Sequence, residues 1–258
     1  MAITLMIVGD EILSGKRQDR HFSKVRELLA ARGMELDELR IVGDDEARIA
    51  ETVSQLLGRG DVVLSCGGIG ATPDDRTRQA VARALNLPVV PHEEAVALIV
   101  NEYGERAFPN RVIMAEFPQG AGLIPNPINR VAGFHIAGIY CVPGFPEMAW
   151  PMLEQVLDTH LKHLHREQPR VEYTLRALGT SGEGDLLYLM EQVLAEFPGV
   201  SLSSLPSRGN GERTRHIEFG IKGQPEQAAR AFRWFRERLL QHPGAVVEDL
   251  TLPPESAL

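Results

Sequence analysis

The chain of 258 residues is long enough for one large domain or two small ones. Apolar residues make up 43% of it and charged residues 24%, which is typical of folded globular chains and excludes the disordered and fibrous classes. The formal net charge of −8 provides no general attraction for nucleic acid, and two cysteines are too few for a disulfide framework or a four-thiolate zinc site. We therefore expect no nucleic-acid partner, and we expect Cys66 and Cys141 to be reduced packing residues.

The beginning of the chain lacks the features of a secretory signal peptide. Residues 1–9 are apolar, but they have no basic segment before them and are followed directly by Asp10 and Glu11. No apolar stretch approaches the roughly 20 residues that a membrane helix needs. The sequence therefore predicts no membrane partner and a cytoplasmic location.

Strand and helix patterns alternate along the first two-thirds of the chain. Apolar runs typical of strands lie at residues 3–8, 36–42, 61–66, 124–127 and 134–142. Amphipathic helix patterns lie at residues 22–32, after Asp44 and Asp45, and at residues 76–85, 93–103 and 147–164. This alternation predicts a doubly wound α/β fold with a mainly parallel sheet and helices on both of its faces.

The pattern changes at a polar stretch, residues 165–170. The predicted elements that follow are strands at 171–178, 200–205 and 216–221, and helices at 185–197 and 225–240. Their β-α-β-β-α order is typical of a small α+β domain. We therefore predict a first domain at residues 1–166, a second at 167–250, and a frayed tail at 251–258.

Acidic residues follow three of the predicted strands. Asp10 follows the first strand, Asp44 follows the second, and the glycine-rich residues 67–75 follow the third. In doubly wound sheets, ligands bind beyond the carboxyl ends of the strands. The sequence therefore predicts that these three segments meet at one site.

The first of these segments, GDEILSGK at residues 9–16, differs from a phosphate-binding P-loop. Five residues instead of four separate its glycines, and Arg17 stands where a P-loop has Ser or Thr. Asp10 and Glu11 would repel a bare phosphate unless a divalent cation lay between them. The segment is therefore either a plain turn or a loop that holds a metal or a ligand.

The third segment, SCGGIGATPDDRT at residues 65–77, has the features of a phosphate site. Glycines directly after a buried strand let backbone amides approach a ligand, and Thr72 adds a hydroxyl group. The alternative is a glycine turn whose acids, Asp74 and Asp75, complement the dipole of the next helix.

Four motifs carry a resemblance to a known family. In chain order they are GDEILSG, VGDD, GGIGATPDDRT and VPGFPEM. Together they resemble the MoaB/MogA-type molybdopterin-binding fold and, more closely, the N-terminal part of competence/damage-inducible protein CinA and its stand-alone relatives. The resemblance covers residues 3–165 and includes the segment LIPNPINRVAGF at 123–134. Residues 170–245 are similar to the small KH-type domain of CinA, but they lack a GxxG loop flanked by basic residues, so RNA binding is not expected.

The resemblance implies two kinds of chemistry. In MogA-type enzymes two acids serve adenylyl transfer to a pterin, and they correspond to Asp44 and Asp75 here. In CinA-type proteins the related site is associated with divalent-metal-dependent hydrolysis of ADP-ribose. The printed sequence has no segment resembling the nicotinamide-nucleotide deamidase domain of many CinA proteins, so that activity is not implied. His21 stands where the family often has Asn, and Ala71 where it usually has Pro.

We therefore predict that a small phosphate-bearing pterin or nucleotide binds across the three strand ends. Asp44 and Asp75 are the predicted catalytic residues, and together with Asp10 they would hold Mg²⁺ or another divalent cation. The other predicted ligand contacts are Gly9, Ser14, Gly67, Gly68, Gly70, Thr72, Asp74, Pro143 and Gly144. The predicted reaction is hydrolysis of the pyrophosphate bond of an ADP-ribose-like nucleotide.

Other functions remain open at this stage. The site could belong to a non-catalytic molybdopterin-binding module, or it could transfer an adenylyl group to a pterin in molybdenum cofactor biosynthesis. A structural or regulatory oligomer with a decayed site is a further alternative. The family resemblance also favours a homo-oligomer.

Overall fold

The computed structural model describes residues 2–180, 182–209 and 214–254. The chain divides into two compact units, with the boundary between His165 and Arg166. The strands of the first unit are β1 (Ile3–Val8), β2 (Glu38–Val42), β3 (Val62–Cys66), β4 (Val89–Pro91), β5 (Glu116–Pro118), β6 (Gly122–Ile124), β7 (Gly133–Ile136) and β8 (Ile139–Val142). Its α-helices are α1 (Asp10–Leu13), α2 (His21–Ala30), α3 (Glu46–Gly58), α4 (Thr77–Ala84), α5 (Glu93–Tyr103) and α6 (Pro146–Thr159). Short 3₁₀ helices cover Gly104–Ala107, Arg111–Ala115 and Lys162–Leu164.

The main sheet of the first unit has the strand order β2-β1-β3-β8-β7-β6. Strands β2, β1, β3 and β8 are parallel, whereas β7 runs antiparallel to β8 and β6 runs antiparallel to β7. Strands β4 and β5 form a separate antiparallel pair. The predicted α/β fold with a mainly parallel sheet is therefore confirmed.

Both faces of this sheet are covered, which explains the unbroken apolar sequence of its inner strands. Every residue of β1 and β3 is buried. On one face Met6 belongs to the same core as Val53 of α3, and on the other Leu5 belongs to the same core as Leu29 of α2. Since parallel strands all point the same way, the segments that follow β1, β3 and β8 emerge at one edge of the sheet.

The strands predicted at 134–142 and 124–127 differ most from the structure. The single strand predicted at 134–142 is a hairpin of β7 and β8, because Ala137 and Gly138 both adopt positive φ angles (50° and 91°) and turn the chain back. The strand predicted at 124–127 ends at Ile124, where Pro125 and Pro127 remove backbone donors from the ladder. Residue 10, predicted to lie in a turn or loop, begins the one-turn helix α1.

The second unit has strands β9 (Val171–Leu178), β10 (Ser201–Ser207), β11 (His216–Gly223) and β12 (Val246–Thr251), with helices α7 (Glu183–Glu196) and α8 (Pro225–Leu240). Its sheet has the order β10-β11-β9-β12 and is antiparallel throughout. The sequence did not predict β12. It is an edge strand that is mostly exposed, so it has no long apolar run, and it includes Thr251, which was assigned to the frayed tail.

The two cysteines are free and buried, as predicted. Burial raises the pKa of both thiols. Among the described residues, no helix combines the length and the apolar character needed to cross a membrane.

Candidate functional site

A cavity of about 430 Å³ lies at the edge of the main sheet where β1, β3 and β8 end. It has the size of a small-molecule site. Most of the predicted site residues line it, namely Gly9, Asp44, Gly67, Gly68, Gly70, Thr72, Asp74, Asp75, Pro143 and Gly144. Asp10 and Ser14 are not among the residues found in its wall, and Asp10 is bonded to Asp44 beside it. The structure therefore brings residues of the three predicted segments together at one cavity.

Residues 67–71, here called the glycine loop, have a conformation that requires glycine at two positions. Gly67 and Gly68 have φ angles of 106° and 70°. A Cβ on Gly67 would overlap the carbonyl oxygen of Val8, and one on Gly68 would overlap the hydroxyl of Thr77. The buried Thr77 hydroxyl donates to the Gly67 carbonyl at 2.9 Å, and the Thr77 N–H donates to the Gly68 carbonyl at 2.9 Å.

The glycine loop lines the cavity and has unused backbone donors. The N–H of Gly67 donates to the carbonyl oxygen of Val142 at 3.0 Å. The next four N–H groups, of Gly68, Ile69, Gly70 and Ala71, have no acceptor among the residues that the structure describes. Successive backbone donors of this kind form a concave site for anions such as phosphate.

Arg78 supports the glycine loop from inside the protein. Its side chain is 1% exposed. Nη2 donates to the carbonyl of Gly70 at 2.6 Å, while Nη1 donates to the carbonyls of Ile113 and, at 3.3 Å, of Glu116. Burial lowers the pKa of Arg78 below its ordinary value. Arg78 was not predicted from the sequence, since an arginine directly after the DDRT motif resembles an ordinary surface residue of α4.

Asp10 and Asp44 hold two of the loops together. The N–H of Asp10 donates to Asp44 Oδ2 at 2.9 Å, and the N–H of Asp44 donates to Asp10 Oδ1 at 3.3 Å. Burial raises the pKa of the Asp44 carboxyl, and the nearby negative charges of Asp10, Glu11 and Asp74 raise it further. A carboxylate in this setting is stabilised by any cation that reaches it.

Asp75 and Thr72 bond to each other across the tip of the motif. Asp75 Oδ2 accepts the Thr72 N–H at 2.9 Å and the Thr72 hydroxyl at 2.5 Å. A ligand phosphate would therefore compete with Asp75 for the Thr72 hydroxyl. In the described part of the chain, no three His, Cys, Asp or Glu side chains are grouped so that they could hold a metal ion by themselves.

Several residues at the cavity were not predicted from the sequence. Arg17 lines it, and the described residues offer its guanidinium no hydrogen-bond partner. Asn126 and Phe145 also line it.

His21 lies behind the cavity wall, where its Nε2 donates to the Gly144 carbonyl at 3.0 Å and thereby positions the turn after β8. The Asn that the family resemblance implies at this position would offer an amide donor of the same kind.

Because the pKa of Asp44 is raised, we expect its negative charge to lower the stability of the folded protein. A carboxyl whose pKa is higher in the folded than in the unfolded protein destabilises the fold when ionised. We expect Asp44→Asn to raise the free energy of unfolding at about pH 7 and to lose this advantage by about pH 3, where the carboxyl is protonated in both states. Urea denaturation at both pH values measures the difference.

Asp45→Asn is the matched control for this comparison. Asp45 caps α3 by accepting the Arg48 N–H at 2.9 Å, and Asn caps equally well. The same loss of charge one residue away should leave the stability nearly unchanged. A gain in both variants, or in neither, would contradict the explanation based on Asp44.

The fold and the cavity together define a doubly wound α/β domain with a glycine-rich loop at the carboxyl edge of its sheet. Residues 4–163 match the family model of the probable molybdopterin binding domain, and the chain therefore belongs to this family. The predicted MoaB/MogA-type and CinA-like relationship is confirmed.

Individual relatives support the same assignment. A CinA-like protein of Syntrophotalea carbinolica is 34% identical over 187 residues, which cover 69% of this chain and 45% of that protein. A protein of Pyrobaculum arsenaticum is 28% identical over 258 residues, which cover 94% of this chain and 96% of its own. The crystal structure of the protein CinA with unknown function from Thermoplasma acidophilum has a TM-score of 0.56 and 27% identity, and covers 61% of this chain and 98% of its own. This chain spans about half the length of the CinA-like relatives in S. carbinolica and Geotalea uraniireducens.

Proposed function

We propose that the cavity binds a small phosphate-bearing pterin or nucleotide and hydrolyses the pyrophosphate bond of an ADP-ribose-like nucleotide. One observation carries this proposal. The glycine loop, with its unused N–H groups, and Asp44, which is bonded to Asp10, line the same cavity. Backbone donors suit phosphate oxygens, whereas bare carboxylates would repel them, so the combination favours a phosphate ligand bound together with a cation.

The residues present fit Mg²⁺ or a similar divalent cation held jointly by protein and ligand. Mg²⁺ usually takes one or two carboxylates and completes its shell with water and substrate phosphates, so it does not need three protein acids. Asp44, with Asp10 beside it, would supply the protein oxygens. Such a cation, when bound, offsets phosphate charge and lowers the pKa of a bound water.

The protein's own groups have separate tasks in the proposed reaction. The glycine loop and Arg17 hold the diphosphate, and Asp75 keeps the loop tip in place through Thr72. Water attacks one phosphorus, the P–O–P bond breaks, and the products are AMP and ribose 5-phosphate. The water releases its proton to solvent, and Asp44 would hold the cation that lowers the pKa of that water.

Release of AMP from ADP-ribose with Mg²⁺, Mn²⁺ or Co²⁺ tests the hydrolase proposal. We expect the native protein to release AMP and Asp44→Asn to lower the rate by about 100-fold or more, since it loses the charged ligand of the cation. Asp45→Asn should retain the native rate. The absence of AMP with every metal, or equal rates in native and Asp44→Asn protein, would refute hydrolysis.

A non-catalytic pterin-binding module is the second candidate. It is favoured by the bond between Thr72 and Asp75, which engages one of the two predicted catalytic carboxylates. Saturable thermal stabilisation by a pterin without any product would support it. Adenylyl transfer to a pterin would instead require ATP and leave AMP attached to the pterin. A homo-oligomeric state and a cytoplasmic location also remain proposals.

A further inference from the structure

We propose that Asn126 is a specificity-determining residue whose side-chain amide donates a hydrogen bond to an acceptor atom on the planar ring of the ligand. This inference rests on the proposed function, because it assigns the ring end of the same cavity. The acceptor is a ring nitrogen or a ring carbonyl oxygen, as found on adenine and on pterin.

Asn126 is held rigidly in a buried position at the cavity. It is 2% exposed, and it lines the cavity wall. Its Oδ1 accepts the N–H of Ile128 at 3.0 Å, and its backbone carbonyl accepts the N–H of Arg130 at 3.3 Å. Because the Ile128 N–H needs an acceptor, this contact fixes which end of the amide is oxygen and which is nitrogen.

The nitrogen end of this amide has no partner. Among the residues that the structure describes, none accepts a hydrogen bond from Asn126 Nδ2. Buried amide donors are nearly always satisfied, since an unpaired one costs free energy. The unpaired donor belongs to a residue of the cavity wall, so a ligand that reaches this nitrogen from the cavity would satisfy it.

The surroundings favour a flat, uncharged ring over a phosphate as that partner. Met114, Val131, Phe145 and Met148 also line the cavity, and all are apolar. Apolar side chains with a few fixed polar groups are typical of sites that orient a heterocycle. The N–H groups of the glycine loop can serve the phosphate groups, so we assign the Asn126 amide to the ring of the ligand.

Calorimetric titration of three probes into matched variants tests the inference. Neopterin has a pterin ring without phosphate, ADP-ribose has an adenine ring with a diphosphate, and pyrophosphate has no ring; Mg²⁺ accompanies the last two. Asn126→Asp keeps the shape and the acceptor for Ile128 but replaces the donor by an oxygen that repels an acceptor. We expect it to weaken binding of at least one ring-bearing probe by about tenfold or more.

Asn129→Asp is the matched control, since Asn129 also lines the cavity and accepts the Val131 N–H at 3.0 Å through the same amide oxygen. It introduces the same charge, so pyrophosphate affinity should change equally in both variants. The inference would be overturned if Asn126→Asp and Asn129→Asp reduced the affinities for both ring-bearing probes equally. It would also be overturned if neither ring-bearing probe bound the native protein. If pyrophosphate alone does not bind the native protein, the proposed phosphate site is contradicted. The effect of Asn126→Asp on the ring-bearing probes still tests the role of Asn126.

A second measurement does not depend on how the variant folds. In native protein, the side-chain NH₂ resonances of Asn126 should shift when the ring-bearing probe is added and stay in place with pyrophosphate. Unchanged resonances on saturation with both ring-bearing probes would overturn the inference. The probe that produces the shift identifies whether adenine or pterin supplies the acceptor.

Discussion

Arg78→Met is expected to lower the free energy of unfolding by about 2–4 kcal/mol, a large effect for one side chain. Methionine fills much of the space of the arginine stem but donates no hydrogen bonds. The carbonyls of Gly70, Ile113 and Glu116 would then lose the charged donor that they share in the structure. Because Gly70 belongs to the glycine loop, pyrophosphate binding should weaken as well. Urea denaturation and calorimetry measure the two effects.

Arg83→Met provides the control on the same helix. Arg83 has a largely exposed side chain that forms only a loose 3.7 Å ion pair with Glu46. Its replacement should change stability by no more than about 0.5 kcal/mol, since exposed ion pairs contribute little. Similar small losses in the two variants would show that the buried guanidinium does not support the glycine loop.

Gly67→Ala is expected to destabilise the protein by about 2 kcal/mol or more and to reduce pyrophosphate binding by at least about tenfold. Its φ of 106° is unfavourable for any residue with a side chain. The new methyl group would also overlap the carbonyl oxygen of Val8, which belongs to β1 and cannot rotate away. Relief of this overlap must displace the glycine loop, which lines the cavity.

Gly58→Ala is the matched glycine control. Gly58 ends α3, and no atom lies within 4 Å of the place where a Cβ would be added. Its replacement should leave binding unchanged and stabilise the protein by about 0.4–1 kcal/mol, because alanine restricts the unfolded chain. Native pyrophosphate affinity in Gly67→Ala would contradict the assignment of the glycine loop as the phosphate site.

The fold of the first unit was largely predictable because its inner strands are buried on both faces. This burial leaves continuous apolar runs at β1 and β3, and they are recognisable without the structure. Strand β12 was not predictable in the same way, since an edge strand depends on pairing with β9 more than on its own apolar residues. The β7–β8 hairpin was missed because Ala137, in its turn, has no clear turn preference.

The candidate site was predictable only where local backbone geometry leaves a trace in the sequence. Gly67 and Gly68 are required by positive φ angles, so the motif is visible as glycines after a strand. Arg78 bonds to residues distant in the chain, and Asn126 is known to line the cavity only from the structure, so neither is marked by a local sequence pattern. In the sequence, Arg17 stands out only because it occupies the place of the Ser or Thr of a P-loop. Its place in the cavity wall is visible only in the structure.

A crystal structure of the protein soaked with ADP-ribose and Mg²⁺ tests the central proposal most directly. The predicted result is diphosphate density within hydrogen-bond distance of the N–H groups of residues 68–71, with a cation between the phosphates and Asp44. Density for the diphosphate at another surface, with the glycine loop and Asp44 untouched, would contradict it.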